Sequence, residues 1–69
     1  MTFDELEPGD LFQWVPSNGE PIPDSAPVWV KVLGNCCHVF GRLREQIIRE
    51  GLLHVGAPEK ANVVKLFNL

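Results

Sequence analysis

The stretch Val28–Phe40, "VWVKVLGNCCHVF", decides how this chain folds. Its first half, Val28–Leu33, is dense in β-branched and aromatic residues, which favour the pleated backbone of a strand. Gly34-Asn35 supplies a two-residue hairpin turn of the Gly-X kind. Cys36–Phe40 then returns as the partner strand. A two-residue loop sets the pairing: Leu33 faces Cys36, Val32 faces Cys37, Lys31 faces His38, Val30 faces Val39 and Trp29 faces Phe40. Side chains alternate across a sheet. Val28, Val30, Val32, Cys37 and Val39 are therefore expected on the core face. Trp29, Lys31, Leu33, Cys36, His38 and Phe40 are expected on the other.

The same stretch holds both cysteines and one of the two histidines. Metal binding needs three or four converging ligands, and no C-x-x-C or H-x-x-x-H spacing provides them. Adjacent cysteines on a strand point to opposite faces, and bridging them needs strained geometry. Cys37 is expected to be a small core hydrophobe. Cys36 and His38 share a face, but a nucleophile–base pair also needs an orienting group and an oxyanion hole, and no motif marks either. No Gly-rich phosphate loop, G-x-S-x-G or H-E-x-x-H occurs elsewhere. The expectation is no metal, no cofactor, no catalytic set and no enzyme.

Outward from the hairpin, Thr2 and Glu5 have capping-box spacing, with one helical turn expected through Leu6. Pro8-Gly9-Asp10 forms a turn, with Pro fixing φ and Gly supplying φ > 0. Leu11–Val15 reads as a strand. Pro16–Pro27 carries four prolines and reads as a loop. In "GRLREQIIREG", Leu43, Ile47 and Ile48 sit at helical spacing, and Gly51 suits the position after a helix end. A short helix is expected near Leu43–Glu50, with a strand through the two isoleucines as the competing reading. Leu52–Val55 is a further strand, with His54 a surface residue, and Val63–Phe67 is the last. A mainly β domain follows: a small bent barrel of about five short strands with one short helix, spanning residues 1–69. Closure removes sheet edges that so small a domain protects poorly.

With 69 residues, the chain buries only about 60% of its extended-chain surface. At 45% hydrophobic and 22% charged, it has the make-up of a folded domain. No apolar run approaches the roughly 20 residues of a membrane span. The acidic N-terminus lacks the pattern of a signal peptide. A cytoplasmic protein with reduced thiols is expected. Net charge is −3, but residues 1–30 sum to −6 and residues 31–69 to +3. That asymmetry is either solvated surface or a bipolar docking face. A nucleic-acid binder is usually basic overall, and this chain is not.

The outer face of the hairpin carries the candidate binding residues. Trp29 opposite Phe40 makes a cross-strand aromatic pair. On one reading the Leu43–Glu50 helix and the Pro16–Pro27 loop cover it, with Ile47 and Ile48 packed on the two rings. On the other, Trp29, Phe40, Lys31 and His38 stay open as a binding surface. Trp14 packs at the barrel rim or walls a pocket beside the proline-rich loop.

"FDELEPGDLF", "VWVKV", "CCHV" and "GLLHVGAPEKANVVKL" together resemble a group of small phage and bacterial proteins. Their pattern is a leader ending in Pro-Gly-Asp-x-Phe, a Val-Lys strand, and a closing hydrophobic–turn–hydrophobic hairpin. The match covers Leu6–Phe12, Val28–Val32 and Leu52–Leu66, and departs at "FGRLREQIIRE", where the group has a shorter connection. The resemblance implies an SH3-like barrel and, because such members are of unknown function, no activity.

Three functions are weighed. The first is a non-enzymatic, phage-type binding module docking on a protein through Trp29, Phe40 and the acidic N-terminal segment. The second is a small-molecule or nucleotide binder. Trp14 or Trp29 would stack on a base, Arg42, Arg44, Arg49 and Lys31 would meet phosphates, and a homodimer would complete the pocket. The third is single-stranded nucleic-acid binding, which the net charge disfavours. Salt separates them, since phosphate contacts weaken steeply with ionic strength. Homo-oligomerisation is a further expectation, because so small a core leaves apolar surface to bury.

Overall fold

A computed structural model of the chain describes residues 1–41 and 44–68. In chain order it has a 3-10 turn (Phe3–Glu5), β1 (Asp10–Trp14), β2 (Trp29–Lys31), β3 (Cys37–Val39), α1 (Arg44–Glu50) and β4 (Val63–Asn68). The strands form one open antiparallel sheet in the order β3-β2-β1-β4. The domain is mainly β with one short helix. Leu52–Val55, expected as a fifth strand, gives a single bridge. His54 and Cys37 exchange backbone hydrogen bonds of 3.0 and 2.8 Å. The Pro16–Pro27 segment has no regular structure.

Local chemistry explains these elements. The Thr2 N–H donates to Glu5 Oε1 at 2.9 Å, the backbone half of the capping box that starts the 3-10 turn. Glu7-Pro8-Gly9-Asp10 closes with Asp10 N–H on the Glu7 carbonyl at 3.0 Å. Gly9 has φ +91° at the third position, as a type II turn requires. The helix over Arg44–Glu50 settles the isoleucine segment; Leu43, its expected first residue, lies outside the described residues. Gly51 (φ +64°) ends α1, and Leu52 N–H returns to the Ile47 carbonyl at 3.0 Å, the Schellman pattern. Ile47 is buried, whereas Ile48 is 71% exposed, so only one isoleucine packs.

The hairpin register differs from the expected one by a single residue. Val32 N–H bonds the Cys36 carbonyl and Cys36 N–H bonds the Leu33 carbonyl. The loop is therefore three residues, Leu33–Asn35, because Leu33 joins the turn. The pairs become Trp29 with Val39, Val30 with His38 and Lys31 with Cys37. Side-chain period in a strand is two, so this slip turns β2 over. Trp29 and Lys31 now share the core face with Cys37 and Val39. Val30 and His38 lie on the opposite face, paired with Leu11 across β1, and Val30 is buried there with Leu11, as a core residue should be. Trp29 does not face Phe40; the Phe40 N–H bonds the Val28 carbonyl and its side chain is exposed.

The core face packs Phe3, Leu6, Phe12, Cys37, Ala57 and Val63, with Trp14 and Trp29 against them. Burying each large side chain stabilises the fold by about 1.5–3 kcal/mol. Phe3 stacks on Trp14 at 5.3 Å and meets Phe12 edge-on at 5.5 Å. Lys31 is 7% exposed. Its Nζ donates to the Phe3 carbonyl at 3.2 Å and the Leu6 carbonyl at 2.7 Å, and sits 4.8 Å from the Phe3 ring centre. The 3-10 turn thus closes over the sheet with the ammonium as its anchor. Backbone carbonyls and a ring face stand in for a counter-ion.

Candidate binding site

The register decides what lies at the β2–β3 end of the core face. The N-terminal turn fills the side under Phe12, Trp14 and Lys31. Beyond them a cleft of about 330 Å³ stays open, lined by Trp29, Val39, Gly51, Leu52, Leu53, His54 and Val55. Trp29 forms its inner wall from β2, and the segment after α1 forms the outer wall. The Gly51 cap reverses the chain there, and the His54–Cys37 bridge pins the segment to β3. Leu53 and Val55 remain exposed at the rim.

A row of rings connects the cleft to the core. Trp14 meets Trp29 edge-on at 6.4 Å, and Trp29 meets His54 edge-on at 5.1 Å. Such pairs hold ring orientation, each adding about 0.5–1.5 kcal/mol beyond burial. The cleft is thus apolar with one titratable side chain, His54. That composition suits an apolar group more than a highly charged one.

The expected site residues separate. Trp29 is in the cleft. Trp14 is one ring further in, between Phe3, Phe12 and Trp29, and does not line it. Lys31, expected on an outer face, is buried beneath the N-terminal turn. His38 is half-buried on the opposite face, its Nδ1 3.1 Å from the Val39 carbonyl oxygen. Phe40 is exposed beyond the end of β3 and is not among the cleft-lining residues. Arg44 begins α1, and Arg42 lies outside the described residues. Sequence reasoning missed Leu53, His54 and Val55; the signal was the Gly51 cap, which turns that segment back toward β3.

No known family, curated protein or solved structure matches this chain.

The charge asymmetry is partly folded together. Lys60 pairs with Asp4 at 2.7 Å and, with the Thr2 hydroxyl, holds that carboxyl below its usual range. Asp10 is only 1% exposed. Burial works to raise its pKa, but three donors outweigh it and hold the carboxyl below its usual value. They are the Asn68 amide at 2.7 Å, the Glu7 N–H at 2.8 Å and Lys65 at 3.5 Å. Asp4 ties the N-terminal turn to Lys60 ahead of β4, and Asp10 ties the start of β1 to β4, so the acidic segment is in part an internal clasp.

The cysteines are free. Burial, with neighbouring Cys36 adding to it, pushes the Cys37 thiol up to about 11. A thiol so placed is a poor nucleophile near neutrality. Among the described residues no three His, Cys, Asp or Glu side chains converge as a metal site. No described helix is long and apolar enough to cross a membrane.

Proposed function

We propose that this chain is a non-enzymatic binding module whose Trp29 cleft receives one large apolar side chain from a protein partner. The observation that carries the reading is the cleft itself: an aromatic inner wall, an apolar outer wall and exposed Leu53 and Val55 at the rim. A partly desolvated pocket around an aromatic, ringed by apolar contacts, is the usual form of an interface hot spot. The phage-type origin, the cytoplasmic setting and completion of the sheet as an SH3-like barrel belong to the same proposal. In favour of a partly closed barrel, one bridge extends pairing at each end of the sheet, at Cys37–His54 and at Thr2–Asn62 just ahead of β4, and the rest of the β4 edge stays open.

The test is selection of peptides from a random displayed library on the immobilised chain. The reading expects enriched peptides that share one large apolar residue, bind at high salt, and lose at least tenfold in affinity on Leu53→Glu. Selection of nothing, or binding indifferent to Leu53→Glu, contradicts it. A second reading, a nucleotide stacked on Trp29, is favoured by exposed Arg49, two residues before cleft-lining Gly51. It no longer includes Lys31. Binding of a mononucleotide that falls steeply with salt would select it, and the same behaviour with an oligonucleotide would select single-stranded nucleic acid.

A further inference from the structure

We infer that the outer edge of β4 is a self-association surface, on which a second copy of this chain pairs antiparallel across a two-fold axis between Lys65 and Leu66. β4 is the last strand of the sheet and pairs on one side only, with β1. On its other side the N-terminus covers only the beginning: Thr2 bridges Asn62, and Val63 N–H donates to the Met1 carbonyl at 2.8 Å. From Val64 onward, no backbone bond is made on that side among the described residues. A strand edge with free N–H and C=O groups is a template for another strand, and soluble proteins usually blunt it with Pro, charge, a bulge or a cover. β4 has no Pro or Gly, and it leaves Val64, Leu66 and Phe67 between 42 and 57% exposed. Its one charged side chain, Lys65, is turned to Asp10 of its own sheet.

The occupant follows from the strand's own pattern. Val64 pairs with Gln13 and Phe67 with Leu11, so Val64 and Phe67 share one face of the sheet. They lie three apart instead of two because the register shifts between Leu11 and Phe12, leaving Leu66 as the extra residue. A two-fold axis between Lys65 and Leu66 sets Val64 opposite Phe67 of the second copy, and Phe67 opposite its Val64. Both are aromatic–β-branched pairs, a favourable cross-strand combination. Lys65 falls opposite Leu66, so no like charges meet. The surface is complementary to itself, as an isologous interface requires. Four paired residues per strand fall short of the roughly 1,000 Å² of a stable interface, so the dimer is weak and reversible.

The experiment is sedimentation equilibrium of the full chain from about 10 μM to 1 mM, where mass action must show even a weak dimer. The same runs are made on Val64→Lys and Phe67→Glu, with circular dichroism to check their folding. The wild-type mass should rise from 7.7 kDa toward twice that value. Each variant alone should stay monomeric, and an equimolar mixture should recover a dimer, because the new Lys and Glu then face each other. Amide exchange on the wild type, which needs no substitution, should slow at Lys65–Phe67 with rising concentration. A wild type monomeric at 1 mM, a variant that still dimerises alone, a folded pair that fails to recover on mixing, or exchange at Lys65–Phe67 independent of concentration would overturn the proposal.

Discussion

Replacing Lys31 by methionine tests the inverted hairpin through stability. Methionine keeps most of the aliphatic stem and deletes the ammonium. The Leu6 carbonyl, which accepts from Nζ at 2.7 Å, has no other described donor. Leaving it unpaired costs about 1–3 kcal/mol. The Phe3 carbonyl keeps the Leu6 N–H at 3.1 Å, so its loss is smaller. Removing the cation from above the Phe3 ring costs roughly 0.5–1 kcal/mol more. Against these stands relief from holding a charge in the core without a carboxylate, which offsets a share of the total. The balance is a loss of about 2 kcal/mol. For a domain of this size that is a fall in Tm of roughly 8–16 °C. Urea unfolding followed by far-UV circular dichroism measures it, with the midpoint falling and the slope unchanged. A loss below about 0.5 kcal/mol, which is what a solvent-facing lysine gives, would refute the burial of Lys31 and with it the register.

Asp10 makes the fold pH-sensitive in a defined direction. Its folded pKa lies below the unfolded value, so its contribution is complete above about pH 4 and is lost as pH falls through the folded pKa. Urea midpoints from pH 7 down to pH 3 should fall, and Asp10→Asn should lower stability at pH 7 while flattening that slope; an unchanged slope would contradict the clasp. Gly9→Ala places a Cβ at φ +91°, 3.5 Å from the Asn68 amide, and should cost roughly 1–2 kcal/mol in the same assay. In a thiol titration at pH 8 the native protein should react rapidly at Cys36 alone, with Cys37 reacting only on unfolding; two equally fast thiols would place Cys37 outside the core. Leu53→Glu should leave thermal stability within about 0.5 kcal/mol of wild type, which separates the binding effect above from a folding defect.

Much of the architecture was legible because its signals are local. Pro8-Gly9 announces a turn, four prolines announce the loop, and Gly51 after the isoleucine segment announces a helix end. The hairpin was legible as a hairpin but not in register. A row of valines at 28, 30 and 32 looks like a core face. The choice against it rests on Lys31 finding carbonyls at Phe3 and Leu6, some 25 residues away. No local pattern encodes such a partner, and a lysine on the core face breaks the usual alternation. The same slip moves Trp29 from an outer patch into the cleft, so the candidate site changed its walls while keeping its central residue. Asp10 looked like turn and surface charge; its burial depends on Asn68 and Lys65 at the far end of the chain. Leu52–Val55 has strand composition, yet β3 is only three residues long and offers it a single bridge.

The register that places Trp29 in the cleft and Lys31 beneath the N-terminal turn is the claim on which the site depends. Cross-strand nuclear Overhauser contacts between Hα protons test it without any substitution. Cys37 directs its N–H and C=O to His54, so Lys31 and Cys37 form a pair not hydrogen-bonded to each other, with Cα atoms about 4.5 Å apart. Strong Hα–Hα contacts are predicted for Lys31 with Cys37 and for Trp29 with Val39. Strong contacts for Val32 with Cys37 and Val30 with Val39 instead would return Trp29 and Lys31 to the outer face and remove the cleft's inner wall.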